Sequence, residues 1–191
     1  MKIQLSSSTL VLIVISIAIN IIGDQLSSIV KLPIFLDSIG TIISALVAGP
    51  WIALLTGLLS NLLSGLISGP IAVAFAPVSM VIGLTAGFLA RAGFFRTLPR
   101  VILSGVIITL VLTVIAVPIR VYLFGGTSGS GADFFIAYLT AVGEDLFLSV
   151  SYTVIGANLV DKILSAIIAW LLIRRLPQRT LRNFPQIARV R

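Results

Sequence analysis

The sequence predicts an all-α integral membrane protein: a bundle of six transmembrane helices, N- and C-termini cytoplasmic, with an extra, partly buried outer helix between spans five and six. Three observations predict it. Of 191 residues, 58% are hydrophobic and 10% charged, against roughly 25% charged in an ordinary soluble domain, and the mean hydropathy is +1.19. Apolar runs suited to a hydrocarbon layer roughly 30 Å thick fill most of the chain, with polar residues in the short breaks between them. The basic residues gather in alternate breaks, as the positive-inside bias requires.

The elements follow in order. Met1-Lys2-Ile3 before an apolar run resembles a secretion signal, but Asn20, Gly23 and Asp24 make no small-residue cleavage site, so residues 9–23 are read as a retained first span. The second, residues 38–48, is too short to cross as a straight helix at about 1.5 Å per residue; residues 32–37 continue it, or it packs inside the bundle. Gly49-Pro50 turns tightly into the third span, residues 51–67, and the fourth, fifth and sixth cover 72–90, 101–124 and 155–173. Residues 132–153 are apolar enough for a seventh crossing, yet burying adjacent Glu144 and Asp145 in lipid costs several kcal/mol, and a seventh span would export the arginine-rich tail. They are therefore placed outside as the extra helix, after the flexible glycine- and serine-rich linker 125–131. Residues 1–176 make one membrane domain, and 177–191 a basic cytoplasmic tail lying along anionic headgroups.

With the N-terminus inside, Lys2, Arg91, Arg96, Arg100, Arg174, Arg175, Arg179, Arg182, Arg189 and Arg191 fall on the cytoplasmic side. All six acidic residues fall on or near the outer side with Lys31, Arg120 and Lys162. The net charge of +7 does not point to nucleic acid, because the basic residues sit at helix ends and form no groove-sized surface with interleaved aromatics. With no cysteine and no histidine, disulfides, thiolate nucleophiles and the usual metal ligands are excluded, and neither a metal nor a cofactor is expected. No phosphate-binding loop is present, so the chain shows no energy source of its own. Trp51 and Trp170 fall on the inner side and suit an aromatic belt.

Along spans two and three, small or polar residues recur every fourth position: Ala45, Gly49, Ala53, Gly57, Asn61 and Gly65. Such a face lets helix backbones approach closely, either within the bundle or as a docking surface for a partner membrane subunit. Asn20, Asn61, Asn158 and Asp161 lie in or at apolar spans, where an unpaired polar group is expensive, so each needs an interhelical partner or a ligand. Asp161-Lys162 also reads as a self-neutralising pair at a helix mouth. The candidate ligand site is an outer cluster of Asp37, Thr41, Arg120, Tyr122, Tyr138, Glu144, Asp145, Tyr152, Asn158 and Asp161, combining hydrogen-bonding groups with aromatic faces. The plain alternative for many of them is a scattered, solvated set of loop residues. Asp24, in the first outer loop, is expected to play no part.

The run Leu32-Pro33-Ile34-Phe35-Leu36-Asp37-Ser38-Ile39-Gly40-Thr41, then Ala48-Gly49-Pro50-Trp51, Leu55-Thr56-Gly57-Leu58 and Asn61-Leu62, resembles the first half of substrate-binding S components of energy-coupling factor (ECF) transporters. Asn158-Leu159-Val160-Asp161-Lys162, leading to Arg174-Arg175-Leu176-Pro177, is similar to the last helix of that family. The resemblance implies a non-enzymatic subunit of a prokaryotic cell membrane. It would bind a vitamin or vitamin precursor near the outer ends of the later helices and dock on a transmembrane coupling subunit with two ATPase subunits. It places the ligand under the loops at 24–37, 68–77 and 125–155. Many members dock through an alanine-x-x-x-alanine pattern on the first helix; this chain has Ser16 and Asn20 there, which makes the ladder from Ala45 to Gly65 the expected substitute.

The competing functions are a membrane sensor module, a membrane enzyme and a stand-alone small-solute facilitator. A sensor needs an output domain, and scattered carboxylates without His or Cys make poor hydrolase or transferase chemistry. Six acidic against three basic residues outside disfavour a multiply anionic ligand and favour a neutral or cationic one.

Overall fold

A computed structural model describes residues 6–175 together with Phe184, Gln186, Ile187 and Val190. Among the described residues the regular elements are all helical: α1 Ser7–Val30, α2 Ile39–Ala48, α3 Pro50–Ser68, α4 Ile71–Ala74, α5 Ala76–Arg91, α6 Leu98–Pro118, α7 Asp133–Ala141 and α8 Leu146–Arg174. Four of these elements are long and apolar enough to cross a membrane, namely α1, α3, α8 and α6 with its extension to Leu123, while α2 and α5 are shorter apolar helices.

Local chemistry sets the ends. Ser6 caps α1 by accepting the Thr9 N–H, and Lys31 closes it in the left-handed conformation, φ 55°, its N–H reaching the Ser27 and Ser28 carbonyls. Gly49, at φ 97°, makes the corner between α2 and α3, where a side chain would be strained, and Pro50 starts α3 at a position whose N–H would be unpaired anyway. Pro118 near the end of α6 supplies no N–H, and the chain continues as a π-helical turn, Ile119–Leu123.

The short second span is packed inside the bundle, and residues 32–37 do not lengthen it: they form an irregular strap before α2. From Gly40 to Val47 every residue of α2 is buried, against α1, α3, α5 and α8. A ten-residue helix is only about 15 Å long, so enclosure by longer neighbours is what permits it. Around it α3 packs on α5, and α6 on α8.

The expected outer helix over 132–153 is corrected. Only α7 is separate; residues 146–153 are the first two turns of α8, which Asp145 caps by accepting the Phe147 N–H at 2.8 Å. The final helix is therefore 29 residues long, and Asp161 lies at its middle rather than its mouth. Trp170 is buried and takes Arg174 over its ring at 4.7 Å, so it is not a belt residue, whereas Trp51 is exposed. The tail 177–191 lies outside the described residues except for the four named above. Of these, Ile187 and Val190 are buried against the core, and Gln186 donates to the Ala45 carbonyl at 3.2 Å.

Candidate functional site

Five helices each contribute one stripe of side chains to a shared cavity of about 340 Å³. Residues three and four apart share a helix face, so the stripes follow from spacing. From α1 come Asn20, Asp24, Ser27 and Ser28; from α3, Ser60, Asn61, Ser64 and Ser68. Across from them α5 presents Val78, Ser79 and Ile82, α6 presents Leu112 and Ala116 and leads to Arg120, and α8 presents Val154, Asn158 and Lys162. The strap before α2 and the loop 128–131 cover the end of the cavity, and Phe35 and Phe75 supply its aromatic surface.

Hydrogen bonds fix these walls. Asn20 is satisfied on every side: its amide donates to Thr41 Oγ at 2.8 Å and Ser60 Oγ at 2.9 Å, and its carbonyl accepts the Gly40 N–H at 2.7 Å. One side chain thus ties α1, α2 and α3 together. Asn61 donates to Ser79 Oγ at 2.6 Å and joins α3 to α5. Lys162 donates to Asp37 at 3.0 Å, Ser38 at 2.9 Å and Asp161, which uses all three ammonium hydrogens. Asp161 also accepts the Leu36 N–H at 2.8 Å, so α8 holds the strap by its backbone. Leu36 sits at φ 53°, an unfavourable conformation for a branched side chain that these anchors maintain. Arg120 performs the same service for the second loop: it pairs with Asp133, donates to the Gly126 carbonyl at 2.9 Å and to Ser130 Oγ at 3.1 Å. Asp133 in turn accepts the Ser128 and Gly129 N–H groups.

Of the ten residues expected at the site, Asp37, Arg120 and Asn158 line the cavity. Thr41 lies one layer behind it as a partner of Asn20, and Asp161 is fully buried behind Lys162, outside the lining. The rest are elsewhere. Tyr122, Tyr138 and Tyr152 are 77%, 66% and 58% exposed and face away from the cavity, because each falls on the outward side of its helix. Glu144 and Asp145 are exposed before α8, where Asp145 serves as a cap.

The small-residue ladder turns inward, which corrects its reading as a docking face. Ala45 and Ala53 are fully buried, and Gly49 lies in the buried α2–α3 corner. A Cβ on Gly57 would stand 2.7 Å from the Ser79 carbonyl carbon, and one on Gly65 would strike the Val73 side chain. Asn61 is a cavity residue. Gly83 answers from α5, where a Cβ would lie 2.6 Å from the Ala53 carbonyl carbon, so Ala53 and Gly57 lie in the α3–α5 seam. Ser16 and Asn20 on α1 are likewise buried, Ser16 against Gly40.

Sequence reasoning missed the serine stripe and Asp24. Ser60, Ser64 and Ser68, spaced by four, were a readable signal, as was Asp24 one turn beyond Asn20. Hydroxyls, amides and fixed charges lining a cavity suit reversible recognition of a small polar molecule. Among the described residues no group of three or more carboxylates is arranged to hold a metal ion.

A family model described as ECF transporter, substrate-specific component, matches residues 8–173. No curated protein and no solved structure matches the chain at a significant level. The matched region takes in every helix that walls the cavity, and the chain belongs to the substrate-specific components of ECF transporters, membrane proteins that serve transport by binding rather than by catalysis.

Proposed function

We propose that this chain is the solute-capturing subunit of an energy-coupled importer in a prokaryotic cell membrane. Helices α1, α2, α3, α5, α6 and α8 form its six-span bundle, with both termini in the cytoplasm. It binds a vitamin or vitamin precursor at the outer face and releases it through a partner coupling subunit driven by two ATPase subunits.

The observation that carries this reading is the position of the cavity. It lies at one end of the bundle, while Arg91, Arg96, Arg100, Arg174 and Arg175 cluster at the other ends of α5, α6 and α8. The positive-inside bias then puts the arginines in the cytoplasm and the cavity toward the outside. A volume of about 340 Å³ is near the small end of the roughly 300–1,000 Å³ range of ligand pockets, which fits a vitamin-sized solute.

Co-expression with a coupling subunit and its two ATPases tests the proposal. One complex should be purified that imports solute into proteoliposomes only with ATP. ATP-independent uptake by the chain alone would make it a facilitator instead.

A further inference from the structure

Among the described residues, every charged side chain lining the cavity has a partner of opposite sign except Asp24. Lys162 is committed to Asp37, Asp161 and Ser38, and Arg120 to Asp133, Gly126 and Ser130. Asp24 lines the cavity one helical turn beyond Asn20 and makes no hydrogen bond or ion pair among the described residues. The charged neighbour that acts on it is Asp37, of its own sign. The two lining cations, Lys162 and Arg120, are therefore already matched, by Asp37 and Asp161 and by Asp133, and Asp24 is the lining carboxylate left over. Lys31 does not restore the balance, being exposed and outside the lining.

We infer that Asp24 is the recognition residue of the cavity and that the solute it selects carries a positive charge, as a protonated amine or a cationic ring nitrogen. The inference rests on the cavity being the capture site. A partly buried carboxylate without a partner is costly, and a bound cation relieves that cost while answering the excess negative charge. Phe35 and Phe75 add ring faces that favour a cation. The carbonyl of Asn61, whose amide is already engaged with Ser79, and the hydroxyl of Ser64 remain for the neutral polar part of the solute. An anionic solute meets the opposite situation. To bind it, Lys162, whose three ammonium hydrogens are all engaged, must leave Asp37 or Asp161, and that carboxylate is then stranded.

The test uses the full chain purified in detergent. Small molecules released on denaturation are identified by mass spectrometry, and binding is titrated calorimetrically with probes of defined charge: thiamine and pyridoxamine as cations, nicotinamide as neutral, biotin and pantothenate as anions. The expected result is retention or binding of a cationic molecule, with Asp24→Asn weakening it at least about tenfold, the loss typical of a hydrogen bond to a charged group. Asp24→Glu should recover part of that affinity, and neither variant should lower the melting temperature of the empty protein. An anion bound more tightly than any cation, or unchanged affinity in Asp24→Asn, overturns the assignment while leaving the cavity a capture site. Failure to retain or bind any molecule counts against the capture reading on which it rests.

Discussion

Replacing Lys162 by Met removes the ammonium while keeping most of the side-chain volume. In the native chain that ammonium is buried with Asp161 on one side and Asp37 on the other. Asp37 is 31% exposed and can turn to water, but Asp161 is wholly buried and cannot. Leaving a buried charge without its partner costs about 3–5 kcal/mol. For a chain of this length, at about 2–4 °C per kcal/mol, the melting temperature in detergent should fall by roughly 6–20 °C. Asp161→Asn is milder, since Lys162 keeps Asp37 and an amide oxygen still accepts the Leu36 N–H. The double variant Lys162→Met with Asp161→Leu removes both buried charges and should recover part of the loss, because an apolar pair of similar volume often replaces a buried ion pair at little cost. Thermal unfolding of wild type, Lys162→Met, Asp161→Leu and this double variant closes the cycle and gives the coupling energy directly. If Lys162→Met melts with the wild type, or if the double variant loses the sum of the two single effects, the buried pair does not hold the strap as argued.

The remaining expectations concern the seam, the periphery and the topology. Gly57→Leu should sharply reduce monodisperse yield on size exclusion, since even a Cβ meets the Ser79 backbone and overpacking a tight interface costs about 1–3 kcal/mol or more; a well-folded variant that fails only in complex assembly would return the ladder to a docking role. Tyr122→Ala, Tyr138→Ala and Tyr152→Ala should leave binding of the retained molecule within about twofold of wild type, because all three side chains are exposed outside the cavity. A large loss in any of them would move the site toward α7. A reporter fused after Arg191 should read as cytoplasmic and one inserted at Gly129 as external, since the opposite arrangement exports most of the arginines; the reverse pattern would put the cavity on the inner face.

The sequence by itself determined the solvent of this protein, its helical class and the order of its main helices. Those properties depend on composition and run length, which need no knowledge of neighbours. It also marked Asn20, Asn61, Asn158 and Asp161 as positions needing partners, because an unpaired polar group in an apolar span is costly whatever surrounds it. Only the tertiary structure decided who those partners are. Hydropathy cannot separate a helix face turned to lipid from one turned to protein, since both are apolar, so the ladder from Ala45 to Gly65 showed close approach without showing to whom. The start of α8 was misplaced for a related reason: Glu144 and Asp145 spoke against a buried span, but they stand just outside a helix whose next residues are apolar. Asp24 and Asp161 changed places as site candidates because exposure is set by packing. Lys162 and the strap enclose Asp161, while nothing among the described residues pairs with Asp24 and the cavity wall runs past it.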